Sequence, residues 1–382
     1  MKIKNYFQDH KLMVCPLSGN KDFKKIFSLK NFPIYMGTVN KNFKVEKKNM
    51  NFYVNQNTGS VQIFPRVDLS KLYFKSHGSG KIGKLWSDHH SSFVNFTKLK
   101  SNSSILEIGG GHNSISLSNK KKKNVRVFSF DPNRNKTFKN EILIKDFFSE
   151  VSINKYKMYN KFDLAIHSHL FEHIYDPESF LSTIYSSLKK NGFHVFTVPS
   201  MEKMIKKNFA NAMNFEHPFF LNEKMIKLLL AKTGFKIIEK KYFGNCHSIF
   251  YRTIKVEKRT KILIKNDYKK NFKLFKNLNK NWKADVLKIN KLINKKYKTF
   301  LFGAHIFSQN LIQNGLNLKN ISGIVDNDTD KQNEYLYGTN LKVFSPKILQ
   351  NKDKPRIILR AGAYNKEIKN QLISINGTVK FL

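Results

Sequence analysis

Between residues 104 and 198, short apolar runs alternate with amphipathic stretches, and four of the runs read as strands: Ser104–Ile108, Val125–Phe130, Phe162–His167 and Phe193–Val198. Strands alternating with helix-length segments predict a parallel sheet covered on both faces. One of the helices carries its own punctuation. Asp176-Pro177-Glu178 supplies a cap, a first-turn proline and a first-turn acid; Phe180, Leu181, Ile184 and Leu188 recur at helical spacing; and Asn191-Gly192 is expected to close it. Upstream, the chain breaks into short extended pieces between turn formers such as Cys15-Pro16-Leu17-Ser18-Gly19 and Asn55-Gln56-Asn57-Thr58-Gly59-Ser60. Downstream, Trp282, Val286, Ile289 and Ile293 fall three or four apart in a lysine-rich stretch, which predicts an amphipathic helix packed between two domains rather than on a membrane. After Lys298 the rhythm restarts with Thr299–Phe302, Ile321–Val325 and Arg356–Leu359. The expected class is α/β: a small loop-rich module over 1–68, a doubly wound unit over 69–258, a linker helix over 259–298 and a second, smaller α/β domain over 299–382.

Composition changes this picture little. With 40% hydrophobic residues in 382, wholesale disorder is excluded. The formal charge of +42 invites a polyanion, but the chain has only seven arginines and its lysines are scattered throughout, so no dedicated nucleic-acid face is expected. Two cysteines, Cys15 and Cys246, exclude a disulfide framework and fit a reducing compartment. No leader pattern and no run of 18 apolar residues is found, so the expectation is a cytoplasmic protein without membrane insertion. Nothing in the sequence reads on oligomeric state.

The strongest chemical signal is Ile105-Leu106-Glu107-Ile108-Gly109-Gly110-Gly111-His112, a strand running into a glycine-rich turn and a helix. Glycines there allow a ligand close to the backbone. Twenty-two residues past Gly109, a second strand ends at Asp131, whose carboxylate is placed to accept both hydroxyls of a ribose, so a nucleoside cofactor is expected. Asn113 breaks the dinucleotide pattern G-x-G-x-x-G and argues against a nicotinamide enzyme. Asp146-Phe147 ends a third run, Ile142–Ile144, and Phe162–His167 leads into Leu170-Phe171-Glu172-His173-Ile174.

With these segments in order, the chain resembles the class I S-adenosylmethionine-dependent methyltransferases, which have a Rossmann-like fold. The resemblance implies a cofactor site of Glu107, Gly109, Gly111, Asp131, Asp146, Phe147 and His167: the glycines under the methionine part, Asp131 on the ribose, Asp146 and Phe147 bordering the adenine, and His167 facing the sulfonium. Asp163, Glu172 and His173 read as capping or helix-packing residues.

Further strings, Leu170–Pro177, Val198-Pro199-Ser200, Phe215-Glu216-His217-Pro218-Phe219-Phe220, and a tail with Gly303-Ala304, Ile324-Val325-Asp326-Asn327 and Tyr337-Gly338-Thr339, look like the three-domain sugar C-methyltransferases. That resemblance implies C-methylation of a nucleotide-linked keto sugar with Glu216 and His217 as the catalytic pair. Carbon methylation beside a ketone needs a base, and histidine is suited to this near neutral pH. The acceptor is expected to be a small anionic nucleotide-sugar, attracted by the positive charge. Two departures stand out. Asn214-Phe215 precedes the pair where that family has Tyr-His, and three of four zinc-binding cysteines are gone, with only Cys15 kept and Asn55 and Thr58 at the second knuckle. Zinc wants four good ligands, so no structural metal is expected and the module is expected to rest on apolar packing. The alternatives are O- or N-methylation of another small molecule, or a non-catalytic binding protein that kept the fold.

His77, beside Gly78-Ser79-Gly80, is a candidate substrate-side residue. His89-His90 and His167-x-His169 have the look of metal pairs but show no third converging ligand in sequence, so no metal is expected there either. Gly303 and Asp326 imitate a second nucleotide site without the G-x-G spacing.

Overall fold

The computed structural model describes residues 13–75, 83–110, 124–138, 140–257 and 263–382. Four strands come first: β1 (Phe23–Pro33), β2 (Thr38–Val39), β3 (Lys47–Asn55) and β4 (Val61–Phe64). β1, β3 and β4 form an antiparallel sheet. Its strands alternate, so that Phe27, Leu29, Met50, Phe52, Val54, Val61 and Ile63 are buried. The positions aligned with zinc ligands are not bare. Cys15 Sγ lies 3.3 Å from Thr58 Oγ1, the Thr58 hydroxyl donates to Asn55 Oδ1 at 3.0 Å, and the Asn55 amide donates to Asn20 Oδ1. A closed hydrogen-bond network thus adds to apolar packing, which corrects the expectation of packing alone. Thr58→Ala leaves a buried acceptor and the Ser60 N–H without that hydroxyl, and is expected to lower unfolding free energy by about 1–3 kcal/mol. Denaturant titration checks it, with Thr58→Ser retaining most of the stability.

The central sheet contains β5 (Ser104–Ile108), β6 (Arg126–Phe130), β7 (Glu141–Ile144), β8 (Phe162–Ser168), β9 (Leu188–Pro199), β10 (Phe235–Phe243) and β11 (Ser248–Lys255). Its order is β10-β11-β9-β8-β5-β6-β7, parallel from β9 to β7, with β11 antiparallel to β9 and to β10. The chain winds one way from β5 to β6 and β7 and the other way through β8 and β9. The crevice at that reversal, beyond the carboxyl ends of β5 and β8, is where open α/β sheets bind ligands. The expected strands are all present. The helix opened by Asp176 is shorter than expected, Pro177–Ser187, because Leu188 already pairs with Phe162 in β9. Asn191, at φ 58°, instead sits in a register shift inside that strand.

A helix over Tyr268–Leu292 follows. Its stripe of Asn271, Phe275, Leu278, Trp282, Val286 and Ile289 is buried. Trp282 Nε1 donates to the Asn208 carbonyl at 2.8 Å, and Trp282 also meets Phe27 edge-on. Val286 and Ile289 join a separate cluster with Leu301, Ile324 and Ile358. The helix therefore packs between sheets, as its spacing predicts. Ile293 lies one residue beyond its end.

The last sheet holds β12 (Thr299–Phe302), β13 (Ile321–Val325), β15 (Val343–Phe344), β16 (Arg356–Ile358) and β17 (Lys380–Phe381), all parallel; β14 (Tyr335–Leu336) pairs with β2 instead. Gln309 Nε2 reinforces that seam by donating to the carbonyls of Tyr35 and Tyr337. Asp326 Oδ2 accepts from Ala304 N at 2.7 Å and its Oδ1 from Asp328 N. Its carboxylate ties the loops together. No helix among the described residues is long and apolar enough to cross a membrane.

Candidate functional site

Gly109 follows β5 in the left-handed region, at φ 65°, and its N–H reaches the Phe130 carbonyl at 2.9 Å. A Cβ at Gly109 would come within 3.3 Å of Leu170, so this turn abuts the segment leaving β8. A Cβ at Gly110 would lie 2.8 Å from Glu107 Cδ, so glycine is required there while Glu107 stays buried beneath. Ser129 Oγ is 3.4 Å from the Glu107 carboxylate. Asp131 ends β6 with Oδ1 accepting from the N–H groups of Asn133 and Arg134, which fixes the orientation of its carboxylate. Asp146 Oδ1 accepts from Phe147 N, and the Phe147 ring is exposed. Gly111 and His77 lie outside the described residues. Asp163 accepts from Ser104 N and pairs with Lys189, a structural role as expected.

His167 departs from expectation. Its side chain is buried in the core, stacked on Phe196 and within 3.0 Å of His194 Nε2, with Phe180 and Phe171 around it. Burial holds both imidazoles well below the ordinary histidine range, His194 down to about 3, so both are neutral and one ring donates to the other. His167 sits on the inward side of the pleat, where an aromatic layer encloses it, and it does not face the crevice.

The loops leaving β8 and β9 bring together residues from distant stretches. Glu172 and His173 lie on a single turn, Phe171–His173, and Glu216-His217 follow a short turn over Ala210–Ala212. The ligand-capable atoms of Glu172, His173 and His217 lie within 4.8 Å of one another, and the rings of His173 and His217 are 4.6 Å apart. His173 Nδ1 is 3.9 Å from Glu216 Oε2 and shares a 2.7 Å hydrogen bond with the Tyr73 hydroxyl. Asn214 is what positions the pair: its Oδ1 accepts from the N–H groups of both Glu216 and His217. The Asn that departs from the resembled pattern thus builds a turn of its own.

The protonation pattern follows from partners. His217 Nδ1 lies 3.1 Å from the Asn211 carbonyl, which can only accept, so Nδ1 carries the proton and Nε2 the lone pair. Burial lowers the His217 pKa, opposed by Glu172 and Glu216. Burial pushes Glu172 up to about 7, and Tyr73 well above its usual value, with Glu216 adding to the effect. Tyr73 therefore remains a hydroxyl donor. Sequence reasoning assigned Glu216-His217 but read Glu172 and His173 as packing residues and did not single out Tyr73.

A second group lies on the other side of Glu172. His169 Nδ1 is 3.2 Å from Glu172 Oε1, while its Nε2 and His247 Nδ1 bond Ser248 Oγ at 2.7 and 2.6 Å. His89, fully buried on the helix Lys84–Phe96, completes the group, and its two ring nitrogens have no hydrogen-bond partner. The sequence pairs His89-His90 and His167-x-His169 do not stay together as sets: one member of each, His89 and His169, converges instead with His247.

Residues 84–240 match the family described as "Methyltransferase domain". No curated protein matches. Solved structures with similarity include an S-adenosylmethionine-dependent methyltransferase from Aquifex aeolicus, at 14% identity over 44% of this chain and 89% of that one, TM-score 0.35. Another is the YcgJ protein from Bacillus subtilis, at 9% identity over 45% of this chain and 100% of that one, TM-score 0.35. The matched stretch contains the glycine turn after β5, Asp131 and the whole Glu172-His173-Glu216-His217 cluster. The chain thus contains a methyltransferase domain, in residues 84–240.

Proposed function

We propose that the protein methylates a carbon next to a ketone in a nucleotide-linked sugar, with His217 removing the α-proton. The observation that carries this reading is the cluster of two buried carboxylates with two half-buried histidines and a half-buried tyrosine, next to the segment that abuts the glycine turn. Methylation of an already nucleophilic oxygen or nitrogen needs positioning and at most one base, whereas forming a carbanion needs a base together with a donor for the enolate oxygen. His217 Nε2 takes the proton. Glu216 and Glu172 favour the imidazolium that results, and the Tyr73 hydroxyl is the donor for the developing oxyanion. Bound S-adenosylmethionine supplies an electrophilic methyl group on a sulfonium.

The residues fit that cofactor. The turn at Gly109-Gly110 offers backbone without side-chain bulk, and a Cβ at the second position would collide with Glu107. Asp131, held by two backbone N–H groups at a strand end, is oriented for a ribose, and the exposed Phe147 offers a face to an adenine. The formal charge of +42 favours an acceptor that carries a diphosphate.

The test has two arms. Calorimetric titration with the cofactor's demethylated product is expected to give one saturable site, weakened by Asp131→Ala. Nucleoside-diphosphate keto sugars incubated with that complex in deuterated water are then expected to exchange their α-protons. No exchange with any of them, cofactor binding being intact, overturns carbon methylation.

A further inference from the structure

We propose that His89, His169 and His247 form a binding site for a divalent transition ion of the zinc class. The three come from separate elements: the helix Lys84–Phe96, the segment leaving β8 and the turn between β10 and β11. Their ligand-capable nitrogens lie within 4.8 Å of one another. Their ring centres form a nearly equilateral triangle, at 5.1 Å for His89–His169, 5.2 Å for His89–His247 and 5.5 Å for His169–His247.

That triangle has the size a metal requires. A zinc–nitrogen distance of about 2.0–2.1 Å plus a ring radius of about 1.1 Å puts each ring centre about 3.2 Å from the ion, and tetrahedral angles then separate the centres by about 5.2 Å. The rings are at that spacing already, so closing on an ion takes rotation about the side-chain bonds rather than movement of the backbone. His89 gives an independent sign. It is fully buried with both nitrogens unpartnered, a costly arrangement that a coordinate bond would relieve. The other two rings converge on the Ser248 hydroxyl, whose single proton serves only one of them at a time.

Ligand type narrows the ion. Three imidazoles without thiolate or carboxylate suit zinc and its neighbours rather than magnesium or calcium, and three histidines leave a fourth position open. Behind His169, the Glu172 carboxylate at 3.2 Å from Nδ1 supplies the outer partner that metal-binding histidines ordinarily have. None of its three histidines belongs to the base cluster, although Glu172 borders both groups.

The experiment is cobalt(II) titration of the chelator-stripped full chain, followed by visible absorption and displacement by zinc. One equivalent is expected to bind with the spectrum of four-coordinate cobalt. Affinity is expected to fall at least 10-fold in His89→Gln and in His247→Gln, and to be unchanged in His305→Gln. Zinc is expected to raise the thermal unfolding midpoint of the wild-type protein in a dose-dependent way, a readout that needs no variant. Absence of saturable binding by the wild type overturns the site. So does binding that survives His89→Gln and His247→Gln, or that is lost only in His173→Gln, which would assign the ion to Glu172, His173 and His217.

Discussion

His217→Ala is expected to reduce turnover by about 10²–10⁴-fold, the usual contribution of a positioned general base, and to abolish α-proton exchange while leaving cofactor affinity unchanged. The reason lies in how the ring is held. The Asn211 carbonyl fixes the proton on Nδ1, so Nε2 is always the free lone pair, and Asn214 clamps the backbone of the pair from below. Removing the imidazole removes the base and leaves the Asn214 side-chain bonds to the backbone in place. His217→Gln refines the result, because an amide restores a donor to the Asn211 carbonyl without a usable base. Stability is then expected to recover while turnover does not. Single-turnover rates with saturating cofactor, alongside exchange rates, check this; a His217→Ala protein that still exchanges the α-proton would move the base to Glu172 or His173.

The largest effect on stability is expected at Phe275→Ala. Phe275 is fully buried on the helix Tyr268–Leu292, with its ring 6.1 Å from Phe52 of β3 and 5.1 Å from Phe220. Truncating a buried phenylalanine costs about 3–5 kcal/mol through lost transfer energy and the cavity left behind, against a net stability of about 5–15 kcal/mol for a folded protein. Because the ring touches both the first sheet and the segment after β9, its loss loosens that contact as well as lowering the total. Denaturant unfolding is the measurement. The exposed neighbour Lys276→Ala is expected to stay within about 0.5 kcal/mol of wild type.

Strands were legible because each is a short apolar run bounded by turn formers, and Ser104–Ile108 and Thr299–Phe302 coincide with the observed β5 and β12. The end of the helix at Ser187 was not. Asn191-Gly192 reads locally as a helix stop, but the pairing of Leu188 with Phe162 is a long-range event that local pattern does not contain. The same divide separates the two parts of the site. Glu216-His217 could be picked out as a contiguous pair, while Tyr73 and His173, one hundred positions apart, meet only when the end of the short helix Leu69–Leu72 packs against the turn after β8. His247 lies far along the chain from both His89 and His169, so its convergence with them is invisible to spacing. His167 was misjudged for a simpler reason: a strand-end histidine can face either side of the pleat, and only the aromatic layer of Phe171, Phe180 and Phe196 decides which.

The pairing of β2 with β14 sets an order of events during synthesis. Thr38 donates to a Glu334 carboxylate 296 positions away, and Tyr35 offers its carbonyl to Gln309. At roughly 5–20 residues per second, the N-terminal partner waits about 15–60 s on the ribosome before its mate exists. During that interval the β2 edge has an unpaired backbone on a nascent chain crowded with lysines. Those charges repel other copies of the same edge, so the positive surface would act as a temporary guard against mispairing until the late strand is released.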